Sequence, residues 1–178
     1  MRCSQEYNKE LVETYPFLMP YNRWTGLPPE DYDYAYTELD DMPDGWRKAF
    51  GIQMCDEIKE CLITAEKNRN ETPEERKKFT EWYASNAPED APDDYLHIWK
   101  FTQIKEKYGT LRLYPRFYGI GSLNDILNKY ENMSARICIH CGKPATRISL
   151  GWISPWCDDC ANTLSYERFM PIEEYYSP

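Results

Sequence analysis

An α+β fold follows from three observations on this 178-residue chain. Stretches with helical apolar spacing precede and follow one β-rich pair of runs joined by a glycine turn. Two C-x2-C pairs then stand near the C-terminal end. The expectation is three helices packed on a small antiparallel sheet, a β-hairpin at about 95–117, with a C-terminal four-cysteine zinc ribbon. Three regions follow: an extended acidic and aromatic segment over 1–41, an α+β core over 42–135, and the ribbon with a C-terminal tail over 136–178.

The first region has a weak helical start around Glu6 to Glu13 and then meets Pro16, Pro20, Pro28 and Pro29, which break helices. Tyr15, Phe17, Leu18, Tyr21 and Trp24 are too apolar to stay in water, so this segment should run over the domain pinned by its aromatic rings. It leads into PEDYDYAYTELDD, where Tyr32, Tyr34 and Tyr36 alternate as on one face of a strand. The reading is a fixed, strand-like acidic border.

The first long helix covers DMPDGWRKAFGIQMCDEIKECLITAEKN. Trp46, Phe50, Met54, Ile58, Leu62 and Ala65 share one face, and Asp41 with Asp44 resembles a capping box. TPEERKKFTEWYAS is a second helix, with Thr72 as cap, Pro73 as first residue and Glu75 closing the box. Residues 86–94 form a loop rich in Pro and Asp. The hairpin YLHIWKFTQIKEKYGTLRLYPRFY turns at Gly109, which supplies a positive φ. In SLNDILNKYENMS, Ser122 and Asp125 cap a third helix whose apolar side is Leu123, Ile126, Leu127 and Tyr130.

Residues 138–160, CIHCGKPATRISLGWISPWCDDC, carry the strongest chemical signal. Two residues between cysteines let one tight knuckle present both thiolates to a single ion, and the second pair completes a tetrahedron. Cys138, Cys141, Cys157 and Cys160 are the expected ligands of one structural zinc, since four sulfurs leave no open position for water. Gly142 relieves the backbone of the first knuckle, His140 is a bystander, and ATRISLGWI should form a short strand pair. Cys3, Cys55 and Cys61 read as buried or incidental thiols.

Composition narrows the function classes. Hydrophobic residues make up 42% of the chain and aromatics 15%, enough to bury a core. No apolar run reaches the roughly 18 residues of a membrane span. MRCSQEYNKELVE is too polar for a signal peptide, so a cytoplasmic protein is expected, where seven cysteines suit metal binding better than disulfides. The net charge of -9 is unevenly spread: residues 1–95 carry -11, residues 96–150 carry +6, and residues 151–178 carry -4. Such asymmetry suggests a charged partner or one part of the chain lying against another.

No G-x-S-x-G, Walker loop or H-E-x-x-H occurs. His97 and His140 are the only histidines, Asp56, Glu57 and Lys59 fit the solvated side of a helix, and Cys55 or Cys61 has no evident histidine partner, so no catalytic residue is assigned. Two binding readings remain. Lys100, Lys105, Lys107, Arg112, Arg116, Arg136, Lys143 and Arg147, with Lys129 and interleaved Tyr108, Tyr114 and Tyr118, suit direct contact with DNA or RNA. Glu30, Asp31, Asp33, Glu38 and Asp40, joined by Asp41 and possible additions Asp93 and Asp94, suit a partner protein with a basic nucleic-acid groove.

NRWTG, EDYDYAYTELDDMPDGWRKAFG, QIKEKYGTLRLY and the cysteine motif make the chain resemble a family of small zinc-ribbon proteins. These are encoded by gut-type Firmicutes and their phages and prophages, and the resemblance spans about Tyr15 to Cys160. It implies a compact zinc-ribbon protein of mobile DNA in a bacterial host cell, and carries over no catalytic residue. Small acidic proteins from that setting are often inhibitors of host defence, including anti-CRISPR proteins. The expected function is therefore non-enzymatic inhibition of a host nucleic-acid-handling protein such as a CRISPR effector nuclease. The alternative is a zinc-ribbon DNA- or RNA-binding protein using the basic hairpin.

Overall fold

The computed structural model describes residues 4–22, 27–83 and 92–177. Cys3, Trp24 and most of the loop over 86–94 lie outside them. The fold is mixed α and β, with a small antiparallel sheet and a C-terminal four-cysteine cluster. The helices are more numerous and shorter than the three expected.

Helix α1 (Gln5–Thr14) starts where the Ser4 side chain accepts from the Tyr7 N–H, and it buries Leu11 and Val12. The chain then bends through a 3-10 turn, Pro16–Leu18, that leaves Phe17 and Leu18 with no exposed surface. Phe17 meets Trp99 edge-on at 5.5 Å and Phe101 at 6.1 Å, so the aromatic pinning of this segment is observed.

The acidic border is fixed, but it is not a strand. Tyr34 has φ 63, which breaks an extended path. Asn8 of α1, fully buried, donates to the Tyr34 carbonyl at 2.9 Å, and the Tyr32 hydroxyl donates to the Tyr36 carbonyl at 2.7 Å. All three tyrosines are half-buried. The expected capping box also lies elsewhere. Thr37 and Asp40 form it, on the 3-10 turn Glu38–Asp41, whereas Pro43 precedes the next helix without a side-chain cap.

That helix runs as α2 (Asp44–Trp46), a π-turn (Arg47–Gly51) and α3 (Ile52–Lys67). Trp46, Phe50, Met54, Ile58 and Leu62 are all at most 3% exposed. Their strict spacing of four overshoots a 3.6-residue turn by about 40° at each step. The wider π-turn takes up part of that drift and keeps the series on one face. Helix α4 (Pro73–Tyr83) opens on the expected box: Glu75 accepts from Thr72 N–H at 2.8 Å, and its own N–H donates to the Thr72 hydroxyl at 3.3 Å.

The hairpin is shorter than expected at both ends. Asp94 accepts from the His97 N–H and caps a one-turn helix, α5 (Tyr95–Ile98), so His97 is helical rather than in a strand. Strands β1 (Phe101–Lys107) and β2 (Thr110–Pro115) pair antiparallel around Tyr108 and Gly109, at φ 53 and 79. Phe101, Ile104, Leu111 and Leu113 point inward. A two-stranded ribbon is marginal alone; here β1 packs beside the Glu38–Asp41 turn and β2 beside α6 (Leu123–Ser134). Ser122 precedes α6 as expected, but its side chain makes no capping bond.

The cysteine region holds a second sheet, ordered β4-β3-β5. Of the strand pair expected within ATRISLGWI, β3 (Arg147–Ser149) falls there, but its partner β4 (Pro155–Trp156) lies just past it. Strand β5 (Phe169–Pro171) comes from the tail and flanks β3, between the one-turn helices α7 (Asp158–Ala161) and α8 (Ile172–Tyr175).

Candidate metal centre and charged surfaces

The four-cysteine cluster is built by two loops brought together by the β3–β4 pairing. Cys138 and Cys141 flank a tight turn in which Gly142 N–H donates to the Cys138 carbonyl at 3.0 Å, with Gly142 at φ 82. Cys157 precedes α7, and Cys160 lies on it. The four sulfurs lie within 4.8 Å of one another, with Cys141 and Cys157 3.6 Å apart. A tetrahedral ion bound at ~2.3 Å would set its sulfurs about 3.8 Å apart, so the residues present fit a thiolate-bound metal ion. Burial opposes ionisation of Cys141, but the Lys143 backbone N–H and hydrogen bonds from the other three cysteines overcome it and bring the thiol down to about 7. His140 stacks on Trp156, with its Nδ1 3.5 Å from the Cys160 sulfur.

The first knuckle is seated on the start of the long helix. Gly45 N–H donates to the Ile139 carbonyl at 2.9 Å, and the Trp46 indole N–H donates to the Ile137 carbonyl at 2.8 Å. A methyl group on Gly45 would lie 2.2 Å from the Cys138 carbonyl oxygen, and one on Gly142 would lie 2.6 Å from the Gly45 carbonyl oxygen. Two glycines thus allow one close backbone contact between cluster and core. The motif spacing shows the turn at Gly142 but not this second contact.

The basic residues do not form one surface. Arg136 pairs with Glu173 at 2.6 Å, Lys143 with Asp159 at 2.8 Å, and Arg147 with Asp158 at 2.5 Å. Lys129 pairs with Glu57 at 2.6 Å. Lys100 turns inward and donates to the Pro16 carbonyl, so its ammonium is buried and does not face a ligand. The Arg116 guanidinium lies over the Tyr21 ring at 5.0 Å. Lys105, Lys107 and Arg112 remain together on the outer face of the hairpin.

Among the acidic residues, Glu30, Asp31 and Asp33 are exposed. Asp33 accepts from Gln5 and from the Ala35 N–H. Asp40 is internal: it accepts from the Thr37 N–H at 2.8 Å and pairs with Arg47 at 2.8 Å. Glu38 is half-buried beside it. Burial, and then the hydrogen bond to Asp41, push the Tyr36 phenol well above its ordinary range.

Asp56 and Glu57 serve the fold, since Tyr15 donates to Asp56 at 2.6 Å and Lys59 lies over the Tyr15 ring. Cys55 is fully buried, which pushes its thiol up, and Cys61 is half-buried near Ser122. Sequence reasoning missed Trp152, which is 72% exposed although its motif, SLGWISPW, reads as ordinary strand core. It also missed Glu106, which holds that indole. No helix among the described residues is long and apolar enough to cross a membrane. Comparison with protein-family models, with curated proteins and with solved structures gives no match.

Proposed function

We propose that the chain is a non-enzymatic binding protein, clamped by one structural zinc on Cys138, Cys141, Cys157 and Cys160, that inhibits a host nucleic-acid-handling protein. Its acidic border competes for the basic groove in which such a protein, for example a CRISPR effector nuclease, holds nucleic acid. The setting is the phage or mobile-element one that the sequence resemblance implies. Zinc is the ion best matched to four thiolates in a closed tetrahedral set, and its role there is to hold the scaffold.

The observation that carries the reading is the way the border is held. Asn8 grips the Tyr34 carbonyl, Tyr32 grips the Tyr36 carbonyl, and the tyrosines are half-buried, while Glu30 and Asp31 stay exposed without an ion-pair partner among the described residues. A charged edge ordered before binding loses little entropy when it docks. Its charge also speeds encounter with a positive groove.

The test is displacement. Wild-type protein is used to capture its partner from nuclease-treated host lysate, and the captured protein is then offered labelled DNA. The expected result is that wild type blocks the DNA and that Glu30→Lys with Asp31→Lys blocks it at least tenfold less well. Equal blocking by both proteins would refute the border reading.

A further inference from the structure

We propose that the outer face of the β1–β2 hairpin, with Tyr114 on it and Tyr108 at its tip, binds single-stranded nucleic acid. This surface is distinct from the acidic border, and the proposal stands on other observations.

The pairs Gln103↔Tyr114, Lys105↔Arg112 and Lys107↔Thr110 put six side chains on one side of the ribbon, opposite the buried Ile104, Leu111 and Leu113. Three of the six are cations and none is acidic. Lys105 lies 4.8 Å over the Tyr114 ring, and Lys107 lies 5.5 Å over the Tyr108 ring. Arg112 forms a long ion pair with Glu131, at 3.9 Å.

The aromatic residues at the tip are not explained by folding. Tyr108 is 70% exposed and occupies the left-handed region at φ 53, where a β-hairpin turn favours Asn or Gly. Trp152 is 72% exposed, yet its orientation is set: its indole N–H donates to Glu106 Oε2 at 2.9 Å. The other oxygen of that carboxylate accepts from the Gly109 N–H at 2.7 Å. Gly109 also packs against Ile153, the residue after Trp152. Glu106 pairs with buried Leu111 and alternates with Lys105 and Lys107, so this carboxylate anchors the hairpin to the β3–β4 loop on the side away from the cations, and the rings beside the cations are those of Tyr108 and Tyr114. Cations in a row and rings open for stacking are what unpaired bases on a phosphate backbone require, whereas the bases of a duplex are already stacked.

The experiment uses the zinc-loaded full chain and a fluorescein-labelled oligothymidine of about fifteen nucleotides, with a duplex of equal length as control, read by anisotropy across a salt series. Single strand should bind more tightly than duplex, with log K falling against log salt at a slope of about -2 for three cations. Lys105→Gln, Lys107→Gln and Arg112→Gln together should flatten that slope, while Lys77→Gln with Lys78→Gln on α4 should not. Tyr108→Ala with Tyr114→Ala should weaken binding about fivefold to a hundredfold, and Tyr108→Phe with Tyr114→Phe should restore most of it, which a merely structural role would not require. Circular dichroism keeps unfolded variants out of the comparison. No binding at low salt, equal affinity for duplex, or a protein with Tyr108→Ala and Tyr114→Ala that binds like wild type would each overturn the proposal; the first would leave the hairpin face to a protein partner.

Discussion

Gly45→Ala should uncouple the metal centre from the core. The added methyl group would lie 2.2 Å from the Cys138 carbonyl oxygen and 2.6 Å from the Ile139 carbonyl, all backbone atoms that no side-chain rotation can move. Ordinary contact begins at 3.4 Å, so helix and knuckle must part by about 1.2 Å. That stretches the 2.9 Å bond from Gly45 N–H to Ile139 past bonding distance and strains the 2.8 Å bond from the Trp46 indole to Ile137. Each buried donor left unpaired costs about 1–3 kcal/mol, so the loss should be about 2–6 kcal/mol in all. Gly51→Ala is the control. Its methyl group meets side chains and no backbone, Arg47 Cγ at 3.3 Å and Leu39 Cδ1 at 3.6 Å, and its backbone is helical, so the change should stay within about 1 kcal/mol of wild type. Urea denaturation of both variants, with zinc affinity from chelator competition, measures the two effects. A Gly45→Ala protein with wild-type midpoint and wild-type zinc affinity would refute the seating of the knuckle on the helix.

Two further outcomes are expected. Native mass spectrometry should show one zinc per chain, lost on chelation or in Cys157→Ser, with faster amide exchange over β3, β4 and β5; a metal-free chain with unchanged exchange removes the metal centre. Lys100 tests a buried charge: burial of its ammonium, aided by repulsion from Arg116, brings its pKa from 10.5 down to about 8. Below pH 8 both folded and unfolded chains carry the proton and the folded state bears the cost of burying it. From pH 8 to 10.5 the unfolded chain holds more protons, so stability should rise with pH, by on the order of 2–3 kcal/mol. Lys100→Met should lack that rise in urea denaturation. The difference between the two proteins isolates Lys100, because the raised phenols of Tyr15, Tyr32, Tyr36 and Tyr130 lower stability above about pH 10 in both. Parallel pH profiles would show that the Lys100 ammonium is not desolvated.

The features legible in the sequence were those set by local spacing. The series from Trp46 to Leu62, the box at Thr72 and Glu75, and the paired cysteines each state their geometry within a few residues. What escaped depends on contacts between distant segments. Lys100 sits between buried Trp99 and Phe101, so alternation sends it outward, but the Pro16–Leu18 turn covers that side and offers it the Pro16 carbonyl. Strand β5 is three residues long with no β-signature, and it exists because β3 has an open edge beside it. The alternation of Tyr32, Tyr34 and Tyr36 pointed to a strand, yet Asn8 holds Tyr34 in a left-handed conformation that ends one. The Asp41–Asp44 spacing mimicked a box that Thr37 and Asp40 make.

The charge pattern acquires a sharper meaning from its pairings. The basic middle of the chain could have been neutralised by the acidic first half. Arg136, Lys143 and Arg147 pair instead with Glu173, Asp159 and Asp158 of the last region, and Lys129 pairs with Glu57 of the first half. Exposed pairs of this kind add only about 0–1 kcal/mol each to stability. Their larger effect is on the field: they cancel positive charge around the cysteine cluster, while Glu30 and Asp31 on the border and Lys105 and Lys107 on the hairpin keep their own charge. A free nucleic acid matches only the second region, and a bare basic groove matches only the first. A protein already holding a nucleic-acid strand presents both signs at once, so such a partner would let the acidic border and the hairpin face act in the same complex.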